Sequence, residues 1–85
     1  MFKILFSQKA AKDFKKVEKP YQKAIARSLE LLSQNPRQGK PLVGRLKGYF
    51  RLKVSKIRVI YTLNFKQKVI EIKAIGFRKN IYKKI

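Results

Sequence analysis

The chain has no cysteine, no histidine and no tryptophan, and only four of its 85 residues are acidic. Without cysteine there can be no disulfide, no thiolate nucleophile and no zinc-finger framework. Without histidine, the side chain that most often serves as acid or base near neutral pH is missing. Asp13, Glu18, Glu30 and Glu71 are too scattered along the chain to suggest a paired-carboxylate magnesium site. No metal and no cofactor is therefore expected. No apolar run approaches the roughly 20 residues that span a bilayer. The apolar start, residues 1–6, is too short for a signal-peptide core and has no cleavage site. These absences describe a soluble cytoplasmic protein with no membrane partner, and the length fits a single domain over residues 1–85.

What is abundant is positive charge. Lys and Arg number 23, giving a formal net charge of +19. Charge of one sign at this density repels itself and opposes compaction, so a polyanion or a strongly acidic partner is expected to neutralise it. The chain is nonetheless no disordered basic tail. It is 45% hydrophobic and 12% aromatic, enough to build a core. A chain this short still buries only about 60–65% of its unfolded surface, so its stability is marginal.

Periodicity gives the path. Residues 2–6 alternate Phe2, Ile4 and Phe6 against Lys3 and Leu5, a first strand. Ser7 stands at a helix N-cap, and Ala10, Phe14 and Val17 form an i, i+4, i+7 stripe. Pro20 suits the first turn of a second helix, whose apolar face is Ala24, Ile25, Ser28, Leu29, Leu31 and Leu32. Asn35-Pro36 ends it. A basic loop follows over residues 36–48, then strands at Tyr49–Val54, Ile57–Asn64 and 68–76, and a tail over 77–85. Short connections make the three strands an antiparallel meander. The expected fold is α+β: an N-terminal strand, a helical hairpin, then a three-stranded antiparallel meander, with the helices packed on one face of the sheet.

Strand alternation then sorts the charge. Phe50, Leu52 and Val54 take the helix-facing side, so Tyr49, Arg51 and Lys53 point the other way. Arg58 shares that open side with Ile60 and Thr62, opposite Ile57, Val59, Tyr61 and Leu63. On the last strand Ile70, Ile72 and Ala74 are expected toward the core, with Glu71 and Lys73 away from it. The result is a sheet face carrying Arg51, Lys53 and Arg58, with Arg78 and Tyr82 at its rim. Like charges across a sheet destabilise it by roughly 0.2–1 kcal/mol per pair unless an anion joins them. Lys12, Lys15, Lys16 and Lys19 read as a solvated helix face able to steer a polyanion at long range.

Several segments in this order resemble one family. They are Ala11-Lys12-Asp13-Phe14-Lys15-Lys16, Leu29-x-x-Leu32-x-x-Asn35-Pro36, Leu42-Val43-Gly44 and Gly48-Tyr49-Phe50-Arg51-Leu52-Lys53-Val54, then Arg58-Val59-Ile60-Tyr61 and Ile75-Gly76-Phe77-Arg78-Lys79-Asn80-Ile81-Tyr82. Together they resemble the RelE/ParE superfamily of toxins from type II toxin–antitoxin systems, over nearly the whole chain. The resemblance implies a RelE-like fold and, in the RelE branch, a ribosome-dependent mRNA endoribonuclease, or mRNA interferase. Such a toxin cuts A-site message without a metal and so inhibits translation, the RNA's own 2′-OH attacking the adjacent phosphate.

The family's catalytic positions fall on Arg51, Lys53, Arg58, Arg78 and Tyr82. Arg51 and Arg58 would clamp the phosphate, and Lys53, crowded by cations, is the candidate base. Arg78 would face the leaving 5′-oxygen, and Tyr82 would stack on or orient a base. Lys40, Arg45, Lys47 and Tyr49, with Lys12, Lys15 and Lys16, are the further candidate RNA contacts. The chain departs from the family at Ser55-Lys56, where the hairpin often carries Gly, and at Phe77, where His or Lys is common. The implied partners are the ribosome and its mRNA and an acidic, RelB-like antitoxin, with operator DNA reached only through the antitoxin complex. Two other functions stand beside this one. A ParE-like chain inhibits DNA gyrase and is no nuclease, and a non-catalytic RNA- or ribosome-binding module would use the same cations only to grip phosphates.

Overall fold

The computed structural model describes residues 1–83, so the end of the tail expected over 77–85 lies outside the described residues. Strand β1 (Lys3–Phe6) feeds helix α1 (Gln8–Lys16) through Ser7. The Ser7 hydroxyl accepts the Ala10 N–H at 3.0 Å, the cap expected there. It also donates to the Lys73 carbonyl at 3.2 Å, while the Ser7 N–H donates to the Ile72 carbonyl at 2.9 Å. One residue thus starts the helix and ties it to the sheet. Ser7→Ala is expected to lower stability by about 1 kcal/mol. A thermal melt should show that as a fall in Tm of roughly 4–8 °C.

Helix α2 (Lys19–Gln34) has Pro20 in its first turn and stops at Asn35, before Pro36. Ile25, Leu29 and Leu32 are buried along one stripe. Leu31, expected on that face, is 55% exposed because it falls off the i, i+4, i+7 line. Both helices lie on one side of a five-stranded sheet in the order β1-β5-β4-β3-β2. Strands β3 (Tyr49–Val54), β4 (Ile57–Asn64) and β5 (Val69–Phe77) form the expected antiparallel meander. Two pairings add to it. Strand β1 runs parallel to β5, and a two-residue β2 (Lys40–Pro41) from the basic loop pairs with Arg51 and Phe50. Its shortness and its proline suit an exposed edge.

The main core joins Ile25, Leu29 and Leu32 to Leu52, Ile57, Val59, Tyr61, Ile70, Ile72 and Ile75. Tyr61 is fully buried and stacks on Phe50, ring centroids 5.3 Å apart. Its hydroxyl donates to the Pro36 carbonyl at 3.0 Å and accepts the Gly39 N–H at 2.9 Å, pinning the chain that leaves α2. Burial pushes the Tyr61 phenol above its ordinary value of 10.0, against the opposing pull of the Gly39 bond.

The last strand corrects one expectation. Ala74 is not on the helical side with Ile70 and Ile72. A bulge lies between the Ile60–Ala74 and Tyr61–Ile72 pairs, and Lys73 is the extra residue. Side chains beyond it change face. Ile75 joins the main core, and Ala74 joins Ile60 and the tail residue Ile81 in a second cluster. The bulge is held from α1, where the buried Asp13 carboxylate accepts the Ile75 N–H at 3.1 Å. Lys73 pairs with Glu71 at 2.5 Å. Among the described residues, no helix is long and apolar enough to cross a membrane.

Candidate active site

Alternation along β3 sends Arg51 and Lys53 to the open face, as Leu52 and Val54 are buried against the helices. Arg58 on β4 is the register partner of Lys53. The turn between them is only Ser55-Lys56, and Ser55 takes a left-handed φ of 57°, which explains why glycine suits this position. That turn aims the Ser55 carbonyl at the Arg58 guanidinium. Arg58 Nη1 donates to it at 2.9 Å and to the Ile57 carbonyl at 3.1 Å.

The tail supplies the rest. Past β5 the Arg78 N–H bonds the Lys56 carbonyl at 3.3 Å, carrying the ladder one step beyond the strand. A turn closed by Asn80 N–H to the Phe77 carbonyl at 3.0 Å leads into a 3-10 turn at Ile81–Lys83. Ile81 is fully buried against Ile60 and Ala74, and this apolar contact anchors the tail on the open face. Tyr82, next to that anchor, accepts a hydrogen bond from Arg51 Nη1 at 2.9 Å.

The five residues Arg51, Lys53, Arg58, Arg78 and Tyr82 line one cavity of about 430 Å³. Four are cations and none is a carboxylate. Arg58 differs from the solvated strand cation expected, being only 8% exposed. Burying a guanidinium without a carboxylate is costly, and the two carbonyls compensate only in part. A fixed, desolvated cation beside Arg51, Lys53 and Arg78 is suited to a multiply charged anion.

The other candidate RNA contacts stand apart from this cavity. Lys40 is on β2 opposite Arg51, Arg45 is in a 3-10 turn at Gly44–Leu46, and Lys47 follows it. All three are exposed, whereas Tyr49 packs on the Ile60 cluster. Lys12, Lys15 and Lys16 are exposed on α1, across the sheet. An adjoining cavity of about 560 Å³ shares Lys53, Arg58 and Arg78 and adds Ser55, Lys56, Phe77, Lys79 and Asn80. Sequence reasoning passed over these five as site residues. The one available signal was the facing of two turns, 55–56 and 78–80, which only strand register reveals. Among the described residues, no group of three or more His, Cys, Asp or Glu could hold a metal ion.

Comparison with known proteins gives the family and the fold. The family profile described as the ParE toxin of type II toxin–antitoxin system, parDE, matches residues 4–82. The chain belongs to the RelE/ParE superfamily of type II toxins. The same fold recurs in the toxin–antitoxin complex RelBE2 from Mycobacterium tuberculosis, at 24% identity and a TM-score of 0.84, over 91% of this toxin and 98% of that chain. The isolated E. coli RelE toxin gives 19% identity and a TM-score of 0.81, over 91% and 84%. The YoeB/ParE toxin from Agrobacterium tumefaciens gives 16% and 0.79, over 91% and 99%. Comparison with curated proteins gives no match. The helical hairpin on a mostly antiparallel sheet is therefore the RelE-like fold expected from the order of elements.

Proposed function

We propose that this toxin is a metal-independent endoribonuclease that cuts messenger RNA held by the ribosome. The observation that carries the reading is the cavity of four cations and Tyr82 with no carboxylate on its walls. Arg51 and Arg58 hold the scissile phosphate, Arg58 rigidly because its guanidinium is braced by two backbone carbonyls. Lys53, in its amine form, takes the proton from the 2′-OH as that oxygen bonds to phosphorus. The bond to the 5′-oxygen breaks, and Arg78 stabilises the charge developing there until the oxygen takes a proton from water. The products are a 2′,3′-cyclic phosphate and a 5′-hydroxyl. Preorganised cations stabilise the pentacoordinate phosphorane more than the ground state, which is where the acceleration arises. Tyr82, oriented by Arg51, offers a ring to an unpaired base.

The ParE description of the family profile favours one other reading, inhibition of DNA gyrase without RNA cleavage. One pair of assays separates the two. The toxin is incubated with ribosomes carrying a defined message, and the RNA ends are mapped. In parallel, supercoiling by purified gyrase is followed. Cuts within the A-site codon that leave cyclic-phosphate ends support the endoribonuclease. Intact message with blocked supercoiling sinks it in favour of the gyrase reading, and intact message on toxin-bound ribosomes leaves a non-catalytic binder.

The partner reading has its own support. Several of the structural neighbours are toxin–antitoxin complexes. A cavity of about 870 Å³ between β1 and the helices is lined by Phe2, Ile4, Phe6, Phe14 and Leu29. An acidic, amphipathic antitoxin segment folding into it would cover those rings and neutralise the surrounding cations.

A further inference from the structure

The cavity beside the proposed phosphate clamp has a different character. The Arg51–Tyr82 cavity exposes mainly polar surface, whereas its neighbour exposes mainly apolar surface under a rim of cations. Phe77 lies on that wall at the end of β5 and is 52% exposed. A lone exposed phenylalanine is ordinary. This one lines a cavity whose other walls carry Lys53, Lys56, Arg58, Arg78 and Lys79, which can bind the phosphates on either side of a stacked base. The Phe77 ring also has an aromatic neighbour. It meets Tyr21 edge-to-face, centroids 6.4 Å apart and planes at 84°, so at least one of its faces is left uncovered by Tyr21.

We infer that this second cavity is a nucleobase subsite, in which Phe77 stacks on the unpaired base of a nucleotide adjoining the phosphate held by Arg51, Lys53, Arg58 and Arg78. The inference rests on the endoribonuclease reading and adds to it where the substrate's base goes. The two cavities share Lys53, Arg58 and Arg78 on their walls, so a phosphate held by those cations and a base beside Phe77 are within reach of one strand. Unpaired bases stack on aromatic side chains whatever their sequence, and RNA-binding surfaces combine such platforms with cations that track the backbone. Lys56 and Lys79 meet the next phosphate. Asn80 offers a donor and an acceptor to a base edge.

The test compares two uncleavable probes at low ionic strength, 2′-O-methyl hexaadenylate and an abasic hexamer with the same number of phosphates. Wild type is expected to bind the base-bearing probe roughly tenfold more tightly, the scale of one stacked base. Phe77→Leu keeps an apolar contact for Tyr21 but has no π face. In a Tyr82→Leu background, which removes the other ring offered to a base, it should lose most of the preference that remains, while its affinity for the abasic probe is unchanged. Phe77→Trp should keep the preference, and its tryptophan, the only one in the protein, should be quenched by hexaadenylate and not by the abasic probe. A preference that survives Phe77→Leu in the Tyr82→Leu background, or no preference in wild type, overturns the subsite while leaving the phosphate clamp standing. If wild type binds neither probe, RNA binding itself fails and the subsite with it. If Phe77→Leu instead loses affinity for hexaglutamate alone, the cavity belongs to an acidic protein partner and the inference is wrong.

Discussion

Arg78→Ala is expected to lower cleavage of ribosome-bound message by about 100–1000-fold, the usual effect of losing one preorganised group facing transition-state charge. Arg78 is exposed and held mainly through its backbone bond to Lys56, which alanine retains. The Tm should therefore stay within a few degrees of wild type, and ribosome binding should persist because most of the +19 charge is untouched. Lys53→Ala should match it in size. Lys53→Arg separates the roles, since it keeps the charge but cannot accept a proton. Failure of Lys53→Arg to restore the rate points to a proton acceptor, and recovery points to charge alone. Single-turnover cleavage on programmed ribosomes reads all three. Rates within threefold of wild type for Arg78→Ala and Lys53→Ala would remove both residues from the chemistry.

Gly39→Ala should be the most damaging change to the fold itself. A Cβ there would stand 2.8 Å from the Tyr61 ring carbons Cε1 and Cζ, and nearer still to its hydroxyl oxygen. Tyr61 cannot retreat, because it is stacked on Phe50 and its hydroxyl bonds the Pro36 carbonyl. Overpacking of this kind, together with loss of the Gly39 N–H bond, should cost about 2–4 kcal/mol. For a protein of this size that is a fall in Tm of roughly 10–25 °C. Adding Tyr61→Phe removes the hydroxyl that the methyl meets first. The double variant should then be less destabilised than the sum of the two single ones. Strict additivity would show that the collision is relieved by moving the loop instead.

The parts of this fold that were legible in advance are those with local causes. Ser7 caps α1 because a hydroxyl can reach an N–H three residues on, and Pro36 stops α2 by steric exclusion. Arg51 and Lys53 could be assigned to the open face because a strand alternates strictly until something interrupts it. On β5 something does. The Lys73 bulge has no glycine to announce it, and its supports, Ser7 and Asp13, lie more than 60 residues away in sequence. Ala74 was misassigned for that reason. The parallel β1–β5 pairing depends on a partner strand remote in sequence, whereas the two-residue β2 lies close to β3 but is too short, and too interrupted by Pro41, to show a strand pattern.

The absence of histidine and cysteine and the excess of cations were decided by the sequence alone. Whatever the fold, they exclude imidazole and thiolate chemistry and leave an excess of positive charge to be neutralised. Where the charge is concentrated belongs to the tertiary structure. Ile81 packing on Ile60 and Ala74 brings Arg78 and Tyr82 over β3 and β4 and leaves Arg58 almost buried. The physical reason is that apolar burial is strong and non-directional enough to hold a tail against a repelling surface. The sequence lists the cations, and a three-residue apolar contact decides which of them face one another.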